Sequence, residues 1–163
     1  MKSLKSFAGL LIVMVLVLVG CGAAVSKEGA AEKGSSASAS DTGKDVKSMK
    51  IEVNDGTHKV VFSLNGSNAS KSLLEQLPLS ITVENYSSEE KIFYPKKLST
   101  SGTPRSDAKA GKLAYYAPWG DVVMFYQDGP SGASGLYELG EAVEGKEQIK
   151  QLSGTITVKA LSE

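Results

Sequence analysis

The chain has 163 residues, with 18 Lys plus Arg against 18 Asp plus Glu and a single arginine, Arg105. That balance excludes the strong basic field on which nucleic-acid binding depends, so no nucleic-acid partner is expected. Cys21 is the only cysteine, which excludes an internal disulfide and leaves an ordinary packed core to supply stability.

Taken in chain order, Lys2 and Lys5 precede an apolar run from Phe7 to Val19, interrupted only by Gly9. A bilayer-spanning helix needs about 20 residues. The 13 residues here match the apolar core of a secretory signal instead. Leu18-Val19-Gly20-Cys21 closes the run with small residues and a thiol. This is the form of a bacterial lipoprotein signal, in which the cut falls before the cysteine and the sulfur carries a diacylglycerol. Residues 1–20 are therefore expected to be a signal peptide and Cys21 the lipidation site. The lipid on Cys21 is then the contact with the membrane, and the protein is anchored on the extracytoplasmic face of a bacterial cell membrane. Each buried methylene contributes about 0.8 kcal/mol of membrane affinity. Removal of Lys2 and Lys5 would leave 16 basic against 18 acidic groups.

Residues 21–48 are expected to be a lipid-anchored disordered linker. Between Gly22 and Ser48 the only large apolar residues are Val25 and Val46, too few to offset the entropy of ordering the segment. A coil of this length spans about 30 Å. Residues 49–163 then form one domain.

The domain opens on a predicted hairpin. Ile51 and Val53 alternate with Lys50 and Glu52, Asp55-Gly56 supplies the turn, and Val60, Phe62 and Leu64 face one way on the return strand. Asn68 is the expected N-cap of a short helix through Leu77, with Leu73, Leu74 and Leu77 as its buried stripe and Pro78 as its stop. Leu79, Ile81 and Val83 alternate as a half-exposed strand. Residues 87–90 are a polar turn, and Ile92 to Tyr94 are extended up to Pro95. A Ser/Gly/Pro/Asp-rich loop runs from Ser99 to Gly111. Two strands follow, Gly111–Ala117 and Asp121–Tyr126, around Pro118-Trp119-Gly120; the second is apolar on both faces and so is expected to be central. Gly129–Gly135 is a second loop, Leu136–Leu139 a short strand and Glu144–Leu152 a second short helix with Ile149 and Leu152 facing in. In the last strand Ile156, Val158 and Ala160 alternate with polar residues.

At this point a family resemblance emerges. Gly111-Lys112-Leu113-Ala114-Tyr115-Tyr116-Ala117-Pro118-Trp119-Gly120-Asp121, continued by Val122 to Tyr126, resembles the signature of the small prokaryotic cyclophilin-like fold proteins. Leu74 to Leu79 resembles that group's helix-to-strand junction. Glu90-Lys91-Ile92 and Lys97-Leu98-Ser99 resemble its next segment, and Ser134-Gly135-Leu136 with Leu139-Gly140 its closing hairpin. The resemblance implies a mainly β fold, a cyclophilin-like eight-stranded closed barrel with two short flanking helices. Cyclophilins proper are prolyl isomerases that use an arginine on a barrel strand beside an apolar pocket. This chain has neither their Phe-His-Arg segment nor their Gln-Gly-Gly-Asp stretch, and Arg105 lies in a loop. No catalytic residue is assigned on this ground.

Nine of the eleven aromatics lie between Tyr86 and Tyr137. Phe93 and Phe125 read as core. In the adjacent pair Tyr115 and Tyr116, one ring should face in and the other out. Tyr86, Tyr116, Trp119 and Tyr126 are the candidate lining of a cleft for a peptide or small ligand, with Arg105 as a polar clamp. His58, the only histidine, reads as a solvated strand-end residue, and Asn54-Asp55-Gly56 as a turn without the spaced acids of a calcium loop. Glu84, Glu89, Glu90, Asp107 and Asp121 offer carboxylates that could pair as acid and base, against the plainer reading of solvated strand-end and turn carboxylates. No metal and no cofactor is expected. The function read from the sequence is a lipid-anchored binding module. The alternatives are a peptidyl-prolyl isomerase assisting secreted protein folding, or a structural module of an envelope complex. The residues assign no oligomeric state.

Overall fold

The computed structural model describes residues 49–162. The expected signal peptide at 1–20, the lipidation site Cys21 and the linker 21–48 lie outside the described residues. Among the described residues, no helix is long and apolar enough to cross a membrane.

Nine strands form one antiparallel sheet: β1 (Lys50–Asn54), β2 (Lys59–Leu64), β3 (Leu79–Thr82), β4 (Glu84–Tyr86), β5 (Glu90–Phe93), β6 (Lys112–Tyr116), β7 (Asp121–Phe125), β8 (Leu136–Glu144) and β9 (Thr155–Leu161). Their order across the sheet is β3-β9-β1-β2-β8-β6-β7-β5-β4. The two end strands, β3 and β4, are separated in sequence by Val83 alone. A single stretch of chain therefore pairs with β9 through its first half and with β5 through its second. Counted as one strand interrupted at Val83, it brings the number to the eight expected. It also returns the sheet on itself as a barrel, which satisfies both edges. Val83 is buried, and its N–H donates to the Gly154 carbonyl at 2.9 Å.

Strand alternation sorts the apolar residues into two bodies. Ile51, Val53, Val60, Phe62, Leu113, Tyr115, Val122 and Met124 fill the barrel interior. A smaller cluster of Ile92, Ala114, Val123, Phe125 and Leu136 lies on the opposite face of β5, β7, β6 and β8. β7 is buried along its whole length because it contributes to both. Its neighbours are β6 and β5, so it is the central strand the sequence predicts.

The local signals differ from expectation in six places. The β1–β2 turn spans four residues, and only Gly56 takes positive φ (93°). Asp55 Oδ1 accepts the Thr57 and His58 N–H groups at 2.9 and 2.7 Å, and this replaces a two-residue turn. The helix α1 (Asn68–Leu74) is capped by Ser67, whose Oγ accepts from the Ser70 N–H, while Asn68 Nδ2 donates across to Ser101 O at 2.7 Å. α1 ends at Leu74, three residues early, because the Gln76 and Leu77 N–H groups turn back to Leu73 O and Leu74 O. β8 runs to Glu144, not Leu139, since it pairs with β2 on one side and β6 on the other. The expected second helix is a 3-10 helix, Lys146–Gln151, although Ile149 and Leu152 are fully buried as expected. Ile156 and Val158 face the core, but Ala160 is exposed.

Candidate functional site

The outer apolar cluster builds the site. On β7 the residues alternate: Val122 and Met124 enter the barrel, and Asp121, Val123 and Phe125 face outward. Tyr116 and Leu136 flank them from β6 and β8, and Glu90 from β5. Two loops close over this face. Ala108 comes from the loop before β6, and Gly129, Pro130 and Ala133 come from the loop before β8. The loops are tied to each other: the Gly129 N–H donates to Ala108 O at 2.8 Å, and Asp128 accepts both Lys109 Nζ at 2.8 Å and the Ala110 N–H at 3.0 Å. A Cβ on Gly129 would lie 3.2 Å from the Ala108 Cβ, so glycine is what lets the loops meet this closely. Between the loops and the sheet is a cleft of about 340 Å³.

Three aromatic rings stand at its mouth. The β6–β7 turn folds back through the Trp119 and Gly120 N–H groups, which both donate to Tyr116 O at 3.2 and 2.9 Å. Gly120 takes φ +79° there, a conformation that disfavours any side chain. This turn sets the Trp119 ring edge-on to Tyr116, with centroids 5.4 Å apart at 78°, and to Tyr86 from β4, at 5.2 Å and 84°. Trp119 is 52% exposed and Tyr86 43%. Large apolar rings left this open and mutually braced are available to a ligand.

Of the five residues expected to line a binding cleft, Tyr86, Tyr116 and Trp119 share this cavity. Arg105 and Tyr126 lie elsewhere. The Arg105 guanidinium stacks 4.5 Å over the Tyr137 ring and its backbone bridges to the same residue. Tyr126 packs against the barrel core, donates its hydroxyl proton to Asn85 Oδ1 at 3.1 Å and has Lys150 Nζ 5.8 Å from its ring. The strand alternation expected at Tyr115 and Tyr116 holds: Tyr115 is 1% exposed and its partner faces out. Phe93 is core, and Phe125 forms part of the cavity wall.

The cavity carboxylates are the residues that sequence reasoning undervalued. Asp121 is 2% exposed, not solvated, because it begins a strand whose outer face the loops cover. Among the described residues its Oδ1 has no hydrogen-bond partner. Burial pushes its pKa up to about 6, against a smaller lowering by its own backbone N–H. Glu90 is half-buried. Desolvation first, then the charges of Asp121 and Glu89, raise it to about 7. Glu89 shifts the other way, held down by the Ser87 and Ser88 hydroxyls that donate to it. The signal was present in the sequence as an acid in register with Val123 and Phe125 on a strand apolar on both faces.

His58 belongs to the turn it follows. Its Nδ1 lies 3.1 Å from Asp55 Oδ2, far along the chain from any cavity residue. Among the described residues, no three His, Cys, Asp or Glu side chains converge in a way that would hold a metal ion.

Comparison with known proteins agrees with this architecture. A family model described as the cyclophilin-like family matches residues 51–160. The solution structure of a hypothetical protein from Archaeoglobus fulgidus superposes with a TM-score of 0.54 at 16% identity, covering 72% of this chain and 98% of the other. At that identity the likeness concerns fold and not activity. No curated protein matches the sequence.

Proposed function

The chain belongs to the cyclophilin-like family, and on that premise we propose that it is a ligand-binding module held outside a bacterial cell membrane by a lipid on Cys21. Residues 1–20 are the signal peptide, 21–48 the tether and 49–163 the binding domain, which takes a peptide or small molecule into its outer cleft. The observation that carries the binding reading is the cleft itself. Its volume of about 340 Å³ is at the lower end of the range for ligand pockets. Its wall is largely apolar, and Tyr86 and Trp119 stand exposed at its mouth beside half-buried Tyr116. Binding asks for such a surface, whereas a barrel needs none of it for its own closure.

The anchoring reading rests on Lys2, Lys5, the short apolar run and the Leu18-Val19-Gly20-Cys21 stretch. Metabolic labelling with a radioactive fatty acid tests it. Label is expected on the wild type and absent from Cys21→Ala, which should leave the membrane fraction. Equal labelling of both overturns it.

Trp119 is the only tryptophan in the chain, so its fluorescence reports the cleft directly. A saturable change with a small aromatic or amine compound is expected, and a flat response across a fragment library overturns the binding reading. Prolyl isomerisation is disfavoured because the sole arginine is stacked on Tyr137, away from the cleft. A proline-peptide assay should return the uncatalysed rate.

A further inference from the structure

We infer that the ligand of this cleft carries an organic ammonium group, seated against Asp121 and Glu90 with the rings of Tyr86, Tyr116 and Trp119 around its apolar shell. This deepens the binding reading above and rests on it.

The charge of the cleft is one-sided. Three carboxylates, Glu89, Glu90 and Asp121, line it, and among the described residues no Lys, Arg or His does. Two cations of the adjoining loop and strand are committed elsewhere. Lys109 pairs with Asp128 at 2.8 Å, and Lys112 with Glu138 and Glu141 at 3.0 and 3.4 Å. An anionic ligand would meet like charge at close range.

Asp121 makes the stronger case. It is 2% exposed, lines the cleft, and keeps Oδ1 without a hydrogen-bond partner. An unpaired buried acceptor is destabilising, and more so when it is charged. A fold that needed only to pack would place an apolar residue here, in line with Val123 and Phe125. A donor from outside the chain satisfies the atom. The same partner returns both carboxylates to their charged form, since burial raises Asp121 to about 6, and burial with the charges of Asp121 and Glu89 raises Glu90 to about 7.

The rings specify what kind of cation. Trp119 stands nearly perpendicular to both Tyr86 and Tyr116, a corner of aromatic surface of the sort that attracts cations through the ring quadrupole. Calcium and magnesium take six or more oxygen ligands, and among the described residues no three acidic or imidazole groups converge. An alkylammonium, with a charged centre and apolar flanks, matches both the carboxylates and the apolar wall. It can come from a free amine or from a lysine-type side chain of a peptide.

The test uses the full chain in a maltoside detergent and compares choline with 3,3-dimethylbutan-1-ol, its uncharged carbon isostere, by Trp119 fluorescence and ligand-observed NMR. Choline is expected to bind about tenfold or more tightly than the isostere. Asp121→Asn should remove that preference; Glu90→Gln should reduce it by less. Equal binding of the two compounds overturns the ammonium assignment and leaves the binding reading standing. So does binding of phenol alone. Failure of every compound overturns both. N-acetyl-trimethyllysine amide separates the sources: tighter binding than choline assigns the site to a peptide side chain, weaker binding assigns it to a free amine.

Discussion

Asp55 is half-buried with a side chain 4% exposed, and Asp121 is buried with 2% of its surface exposed. Their surroundings are opposite. Asp55 sits in the β1–β2 turn and accepts four hydrogen bonds, from the N–H groups of Thr57, His58 and Ser153 and from His58 Nδ1, at 2.7 to 3.1 Å. Burial pushes its pKa upward, but those donors together hold it well below the usual carboxylate range. Asp121 sits in the cleft wall, has Oδ1 unpartnered, and is raised. A buried carboxylate that the chain surrounds with donors is a structural joint. One the chain leaves unpaired, beside an open aromatic mouth, is destabilising until something else binds it.

The contrast can be broken from either side. The largest effect is expected from Asp55→Ala, which leaves three backbone N–H groups of a shielded turn without their acceptor. Urea unfolding should show a loss of about 3 kcal/mol; a loss below about 1 kcal/mol would make the turn an ordinary surface feature. The wild-type contribution is complete above pH 4, near the ordinary value for an unfolded aspartate. It fades as pH falls toward the depressed folded value.

Asp121→Asn should act with the opposite sign. A carboxyl whose folded pKa lies above its unfolded value binds more protons in the native state. Its contribution is therefore full below about pH 4 and is lost as pH rises through about 6, with Glu90 continuing the decline to about 7. The ligand-free wild type should lose stability between about pH 4 and 7. Asp121→Asn should gain about 2 kcal/mol at pH 8 and little at about pH 4. Thermal melts at the two pH values read this directly. A destabilised variant at pH 8 would mean that the carboxylate has a partner within the fold.

The smallest effect on stability belongs to the aromatic mouth. Trp119→Ala removes a ring that is half exposed, so Tm should move little, with ΔΔG within about 0.5 kcal/mol. Ligand-observed NMR should nevertheless lose the cleft signal. A large drop in Tm with binding intact would assign Trp119 to the fold and not to the site.

Much of this fold is legible residue by residue. Val60, Phe62 and Leu64, then Leu113 and Tyr115, then Ile156 and Val158 repeat at the spacing of two that places one face of a strand inside, and all are buried. β8 was less legible. Its outer half, Glu141 to Glu144, is mostly exposed, and Gly140 just before it has no side chain because a Cβ would run into the Ser63 carbonyl oxygen of β2. Pairing on both sides holds that strand extended where periodicity has nothing to report. The helix cap moved by one residue because Ser67 and Asn68 can both cap, and Asn68 finds Ser101 across the loop.

Within the site, Tyr86, Tyr116 and Trp119 could be proposed from the sequence, because aromatics crowded into one third of a chain exceed what a small core absorbs. Arg105 and Tyr126 could not be separated from them, since loop and strand-end side chains take their direction from distant partners, Tyr137 and Asn85 here.

The sequence by itself determined the β-rich class, the central place of β7 and the in-or-out direction of its neighbours, because side-chain alternation is a local property of the strand; the barrel was implied by the family resemblance. Only the tertiary structure decided that Asp121 is buried and unpaired and that it shares a cavity with Glu90 and three rings. Whether a carboxylate is covered depends on loops joined through Lys109, Asp128, Ala108 and Gly129, and no local pattern along β7 records what another part of the chain folds over it.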